Sequence, residues 1–170
     1  MRTQPVKDEY PEYYEKYIGR LSGGDIYDIL QEQRTTTIKL FRSLQDDEAG
    51  KSYAPGKWTM KEVVGHMADT ERVMAYRMLV IARGDTTPLS SFEQDHYVTA
   101  AQYERLPWEQ IYTDFDAVRS ATLGLIGTID EVSWLRSSTV GGNKMSARAL
   151  AYIIAGHELH HVSVIQDKYL

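Results

Sequence analysis

In the stretch AGHELHHVSVI, residues 155–165, His157 and His161 stand four residues apart. On a helix that spacing is one turn, about 6 Å of rise, and both side chains share one face. Two imidazoles so placed can hold one metal ion between them. Both fall in an apolar stripe rather than on a wet face, and so does His66, far upstream. If the helices that carry them are neighbours, three neutral imidazoles converge inside the fold. Three ligands leave a coordination position open, which is the pattern of a catalytic rather than a structural zinc site. A water held there ionises near neutral pH. Ligand type does not name the ion: zinc, nickel, iron and manganese are all candidates, and cobalt or copper would also accept imidazoles. The competing reading is three ordinary core histidines. Each would then need its own hydrogen-bond partner, because an unpaired buried polar group is costly.

His157-Glu158-Leu159-His160-His161 also spells HExxH, the helical signature of zinc proteases, in which the glutamate acts as general base. In those enzymes the third ligand follows on a later segment. Here nine residues follow His161, none of them histidine, and Asp167 is the only acidic one. No convincing strand pattern offers a sheet edge to align a peptide, so the protease reading is set aside. Glu158 projects about 100° round the helix from His157, and His160 about 60°. His160 is expected beside the site or at an interface, and His96, in a long connection, is expected in solvent.

Four long segments have the periodicity needed to carry these residues. Asp25 is a plausible N-cap, and the spacing of Ile26, Leu30, Gln33, Thr37 and Phe41 predicts a first helix over 25–46. Thr59 with Glu62 reads as a capping box and opens a second helix over about 60–83, with His66, Thr70, Met74 and Arg77 on one side. Residues 95–104 suggest a short helix within the connection. Pro107 at a first helical position opens the third long helix, whose stripe runs through Trp108, Ile111, Phe115, Val118 and Thr122. Residues 130–145 read as irregular, with a turn at Gly141-Gly142, and Ser146 caps the fourth helix, whose stripe includes Leu150, Ile153, His157, His161 and Ile165. Four such helices predict an all-α four-helix bundle. The long links predict crossover connections rather than simple hairpins. One domain over 1–170 is expected, with residues 1–24 as an N-terminal extension packed on the bundle.

The chain has 170 residues, 42% of them hydrophobic, a formal charge of −5 and no cysteine. A core of ordinary size follows from that length. Disulfides, thiolate ligands and a catalytic cysteine are excluded. The acidic balance argues against nucleic acid. No apolar run is long enough to span a membrane, and the polar N-terminus does not read as a secretory signal. The cytoplasm is the expected location.

Two stretches carry a resemblance to a known family. KWTMKEVVGHMADTERVMAYRMLVIARGDTTPL resembles the second-helix signature of the DinB-like superfamily, and VGGNKMSARALAYIIAGHELHHVSVI resembles its fourth-helix signature. The resemblance implies a bundle with crossover topology and a divalent metal held by His66, His157 and His161, with His160 outside the triad. It also implies homodimers built through the bundle helices. Characterised relatives include transferases that use low-molecular-weight thiols such as bacillithiol, mycothiol or glutathione, and maleylpyruvate isomerases. A small-molecule substrate is therefore expected.

Three functions follow as expectations. The first is a thiol transferase, in which the metal lowers the pKa of a bound thiol and a cation among Arg72, Arg77, Arg148 and Lys144 anchors the thiol's carboxylates. The second is a small-molecule hydrolase, with Glu62, Asp69 or Asp95 as the base. The third is a non-catalytic, stress-related protein whose metal is structural or vestigial.

Overall fold

A computed structural model of the chain describes residues 3–170. Two short 3-10 turns, Lys7–Glu9 and Glu12–Tyr14, lead into α1 (Glu15–Ile18). There follow α2 (Ile26–Arg42), α3 (Asp46–Ala49), α4 (Met60–Ala82), α5 (Gln94–Ala101), a 3-10 turn at Tyr103–Arg105 and α6 (Trp108–Gly127). The chain closes with α7 (Glu131–Trp134), a hairpin of β1 (Ser137–Val140) and β2 (Asn143–Ser146), and α8 (Ala147–Lys168).

The predicted caps set the helix starts. The Asp25 side chain accepts from the Tyr27 amide, Thr59 from Glu62, and Ser146 from Ala149. Each satisfies an amide that the first turn leaves without an intrahelical partner. Three boundaries differ from expectation. The first long helix stops at Arg42 rather than 46: Ser43 Oγ donates back to the Leu40 carbonyl at 2.7 Å, and α3 starts afresh behind an extended Gln45. Pro107 is extended and stands before α6 rather than in its first turn. The expected helix over 95–104 breaks at Gln102, whose φ is 52°. The region read as irregular holds α7 and the hairpin. Gly141 and Gly142 form its two-residue turn with φ of 55° and 81°, a conformation that glycine enters without steric cost. Leu89 bonds to this hairpin through the Thr139 carbonyl and the Gly141 amide, which pins the long connection after α4.

Side-chain bonds between helices give their directions. Tyr152 reaches the Gly24 carbonyl and Thr37 reaches Glu158, so α2 and α8 run the same way. Lys61 reaches Leu106 and Arg83 reaches Thr128, so α4 and α6 share the opposite direction. The ends of α4 and α8 are tied by Tyr169 Oη to the Trp58 carbonyl and by Arg136 to the Ala82 carbonyl. Each of α4 and α2 packs on both α6 and α8. The result is a four-helix bundle in which the link from α4 to the parallel α6 must run back along its length, with α5 on that return path. Among the described residues no helix is long and apolar enough to cross a membrane.

Most of the buried apolar side chains fall into two clusters. One holds Leu30, Met74, Met78, Leu123, Leu150 and Ile153; the other holds Phe41, Met60, Met67, Trp108, Phe115 and Ile165. Between them each long helix contributes buried polar groups: Gln33 and Thr37 from α2, Thr70 and Glu71 from α4, Arg119 and Thr122 from α6, His157 and Glu158 from α8. This polar layer crosses the bundle at the height of the histidines.

Candidate metal centre

The three histidines meet where α4 and α8 pack. His157 Nε2 lies 3.1 Å from His66 Nε2 and 3.1 Å from His161 Nε2, and one ligand atom from each of the three lies within 4.8 Å of the others. His66 and His157 are buried and His161 half-buried. Burial is the largest cause that lowers the basicity of all three: His66 falls to about 4, His161 to about 3, and His157 well below the ordinary value. At neutral pH the rings are therefore uncharged, and each has a nitrogen lone pair to offer.

The donor set fits a divalent ion. One Nε2 carries a single lone pair or a single proton, so His157 cannot satisfy two neighbours at hydrogen-bond distance in the same plane. A cation between the three nitrogens satisfies all of them. Metal–nitrogen bonds of about 2.0–2.1 Å in tetrahedral geometry imply nitrogen–nitrogen edges of roughly 3.3 Å, close to the two 3.1 Å spacings. The opposite ring nitrogen of His66 is 3.3 Å from Thr70 Oγ1, a partner that favours Nε2 as the free donor. Trp58 packs on His66, and Tyr17 packs edge-on against both His157 and His160. The approach of α1 depends on Gly156: a Cβ there would sit 2.2 Å from the Tyr17 carbonyl oxygen.

The other candidate residues separate clearly. His160 lies beside the triad, with Arg20 Nη2 3.3 Å from its Nδ1. His96 is exposed. Glu62 is held in the capping box by the Thr59 amide. Asp69 accepts from the Tyr103 hydroxyl and pairs with Arg72. Asp95 lines the cavity that reaches His157, and its charge acts on His66. Glu158, the glutamate of the HExxH string, is buried and turned away from the histidines. Its Oε2 lies 2.6 Å from Arg119 Nη1, and its Oε1 accepts from Thr37. Arg119 also makes a bidentate pair with Glu71 at 2.8 Å for each bond. A glutamate committed to a buried arginine is not available as the base of a protease. Sequence reasoning passed over Arg119 and Glu71. Arg119 sits four residues after Phe115 and eight after Ile111, in the middle of the stripe, and a charge at such a position signals a buried pair.

A cavity of about 430 Å³ opens beside the triad and is lined by Tyr14, Tyr17, Thr70, Met74, Arg77 and His157, among others. The model of the DinB superfamily matches residues 29–165 of the sequence. The chain belongs to the DinB superfamily. A protein of Oceanobacillus iheyensis named "Putative metal-dependent hydrolase" is 28% identical over 148 residues, covering 84% of each chain. YfiT from Bacillus subtilis, described as "a probable metal-dependent hydrolase with an unusual four-helix bundle topology", has a similar fold. Its TM-score is 0.74 at 16% identity, over 96% of this chain and 89% of that one. The histidines of this DinB-superfamily chain thus lie on two of the bundle's long helices, inside the matched region.

Proposed function

We propose that this DinB-superfamily chain is a metal-dependent enzyme acting on a small molecule, that His66, His157 and His161 hold its one divalent ion, and that its reaction is hydrolytic. The convergence of three uncharged Nε2 atoms, with His157 among them lining an open cavity, carries this reading. The hydrolase name of the Oceanobacillus relative supports it. When bound, a divalent ion there supplies Lewis acidity, lowering the pKa of a nucleophile that approaches through the cavity. The residues of the chain do the rest. Of the two carboxylates that line the cavity, Glu93 and Asp95, Asp95 is the one whose charge acts on His66, and it is assigned to accept the nucleophile's proton. Tyr17 packs on the ring of His157 and Trp58 on that of His66. Thr70 holds the ring of His66 in orientation.

The second reading is thiol transfer. It is favoured by the size of the cavity, about 430 Å³, which admits a low-molecular-weight thiol beside its electrophile. The two differ in what disappears: a transferase consumes free thiol, and a hydrolase turns over without it.

Metal content by inductively coupled plasma mass spectrometry tests the shared foundation. About one equivalent per chain is expected in the parent and in His160→Ala, and little in His66→Ala, His157→Ala or His161→Ala. No uptake by the parent after exposure to zinc, nickel, iron and manganese in turn would sink both enzymatic readings. Asp95→Asn is then expected to keep the metal and lose hydrolysis by roughly 10²-fold or more.

A further inference from the structure

The four cations weighed as carboxylate anchors have different fates. Arg72 is half-exposed and pairs with Asp114. Arg148 pairs with Glu9, its Nε 2.7 Å from Oε2. Lys144 is exposed and 3.5 Å from Asp8. Arg77 alone is buried without a carboxylate: it is 4% exposed, and no Asp or Glu forms an ion pair with it among the described residues. Its Nη2 donates to the Ser90 carbonyl at 2.6 Å, Nη1 meets the soft sulfur of Met74 at 3.6 Å, and the guanidinium lies 5.5 Å from the centre of the Phe92 ring. These contacts orient the group without neutralising it. Burying an unpaired charge is expensive, and burial lowers the basicity of Arg77.

Arg77 lines the same cavity as His157. His66, Thr70, Met74 and Arg77 follow one face of α4, and eleven residues of helix separate His66 from Arg77 by about 16 Å of rise. Arg77 therefore stands towards one end of the cavity and the triad at the other. The Tyr14 hydroxyl shares the Arg77 end, near enough for the two groups to act on each other electrostatically.

Resting on the reading of this cavity as the substrate site, we propose that Arg77 is a specificity determinant that binds a carboxylate at the far end of an elongated ligand, whose reacting end points to the histidines. A guanidinium held on one side by Ser90 and Phe92 still presents N–H donors in the fork geometry that carboxylates match. The carboxylate can belong to a hydrolysable substrate or to a thiol co-substrate; the recognition chemistry is the same.

The test is calorimetric binding to the zinc-treated full chain, with two probe pairs: 6-mercaptohexanoate against 6-mercaptohexanol, and hexanoate against hexanol. The parent is expected to prefer the acid by about tenfold or more in Kd, the usual scale for a charge-assisted pair. Arg77→Met should abolish that preference and Arg77→Lys should restore part of it. Thermal melts of both variants verify that they fold. An acid preference in both pairs assigns the anchor to carboxylates generally, and one confined to the mercapto pair assigns it to a thiol co-substrate. Equal binding of acid and alcohol by the parent, or a preference that survives in folded Arg77→Met, would overturn the proposal. Metal content is measured on the same samples. A chain without metal that still prefers the acid would refute the metal reading and leave the anchor standing.

Discussion

Replacing Arg119 by methionine removes the one cation of the polar layer. Arg119 is fully buried, and its two partners are nearly so, with Glu71 at 3% and Glu158 at 2% exposure. The substitution keeps an unbranched apolar stem, so the cavity left is small, but it strands two carboxylates inside the bundle. Breaking a buried pair by deleting one partner costs about 3–5 kcal/mol. For a chain of this length that corresponds to a fall in melting temperature of roughly 6–20 °C. The pH dependence is the sharper signature. Burial already raises the pKa of Glu158, with Arg119 opposing it; without Arg119 it must rise further. A carboxyl whose folded pKa lies above its unfolded value of about 4.3 contributes full stability below that value and loses it as pH climbs through the folded pKa. The deficit of Arg119→Met, taken against the parent at the same pH, should therefore shrink from pH 7 to pH 5. Adding Glu158→Gln should recover part of the loss at pH 7 and flatten the dependence. Urea denaturation at the two pH values reads all of this. A loss below about 1 kcal/mol, or one of equal size at both pH values, would refute the view that Arg119 neutralises the layer.

The histidines predict the opposite pH trend for the metal-free chain. A base whose folded pKa is lowered contributes stability above its unfolded pKa and loses it as pH falls through the folded one. His66, at about 4, should by itself remove about 3 kcal/mol between pH 6.5 and 4. Chelator-treated protein is expected to weaken along that window in urea titrations, and zinc-loaded protein to start more stable and fall at least as steeply, because metal-bound imidazoles cannot take up the protons that the unfolded chain binds; a flat profile would contradict the buried, uncharged triad. Gly156→Ala should destabilise by about 1–3 kcal/mol through overpacking, because the added Cβ meets backbone at Tyr17 rather than a side chain that can turn away. Hydrogen exchange should show residues 15–21 opening in that variant, and unchanged protection there would argue against a tight α1–α8 contact.

What the sequence determined by itself was what local rules control. Period and caps depend on residues within one or two turns, so Asp25, Thr59 with Glu62, and Ser146 could be read as helix starts, and His157 with His161 as one face. The failures were local contests that several residues decide together: Ser43 turning on Leu40, and Gln102 entering the left-handed region. Spacing alone could not bring His66 to the pair, and only the family resemblance grouped the three; their meeting depends on α4 lying against α8 in the opposite direction. The same holds for charge. Arg72, Arg77, Arg148 and Lys144 look alike in sequence, and so do Glu62, Asp69, Asp95 and Glu158. Which of them is neutralised, capped, exposed or left facing the cavity depends on partners dozens of residues away. Arg119 shows this most plainly: one residue in a helical stripe becomes the hub of a layer drawn from all four long helices, because burial leaves a charge no other way to be satisfied.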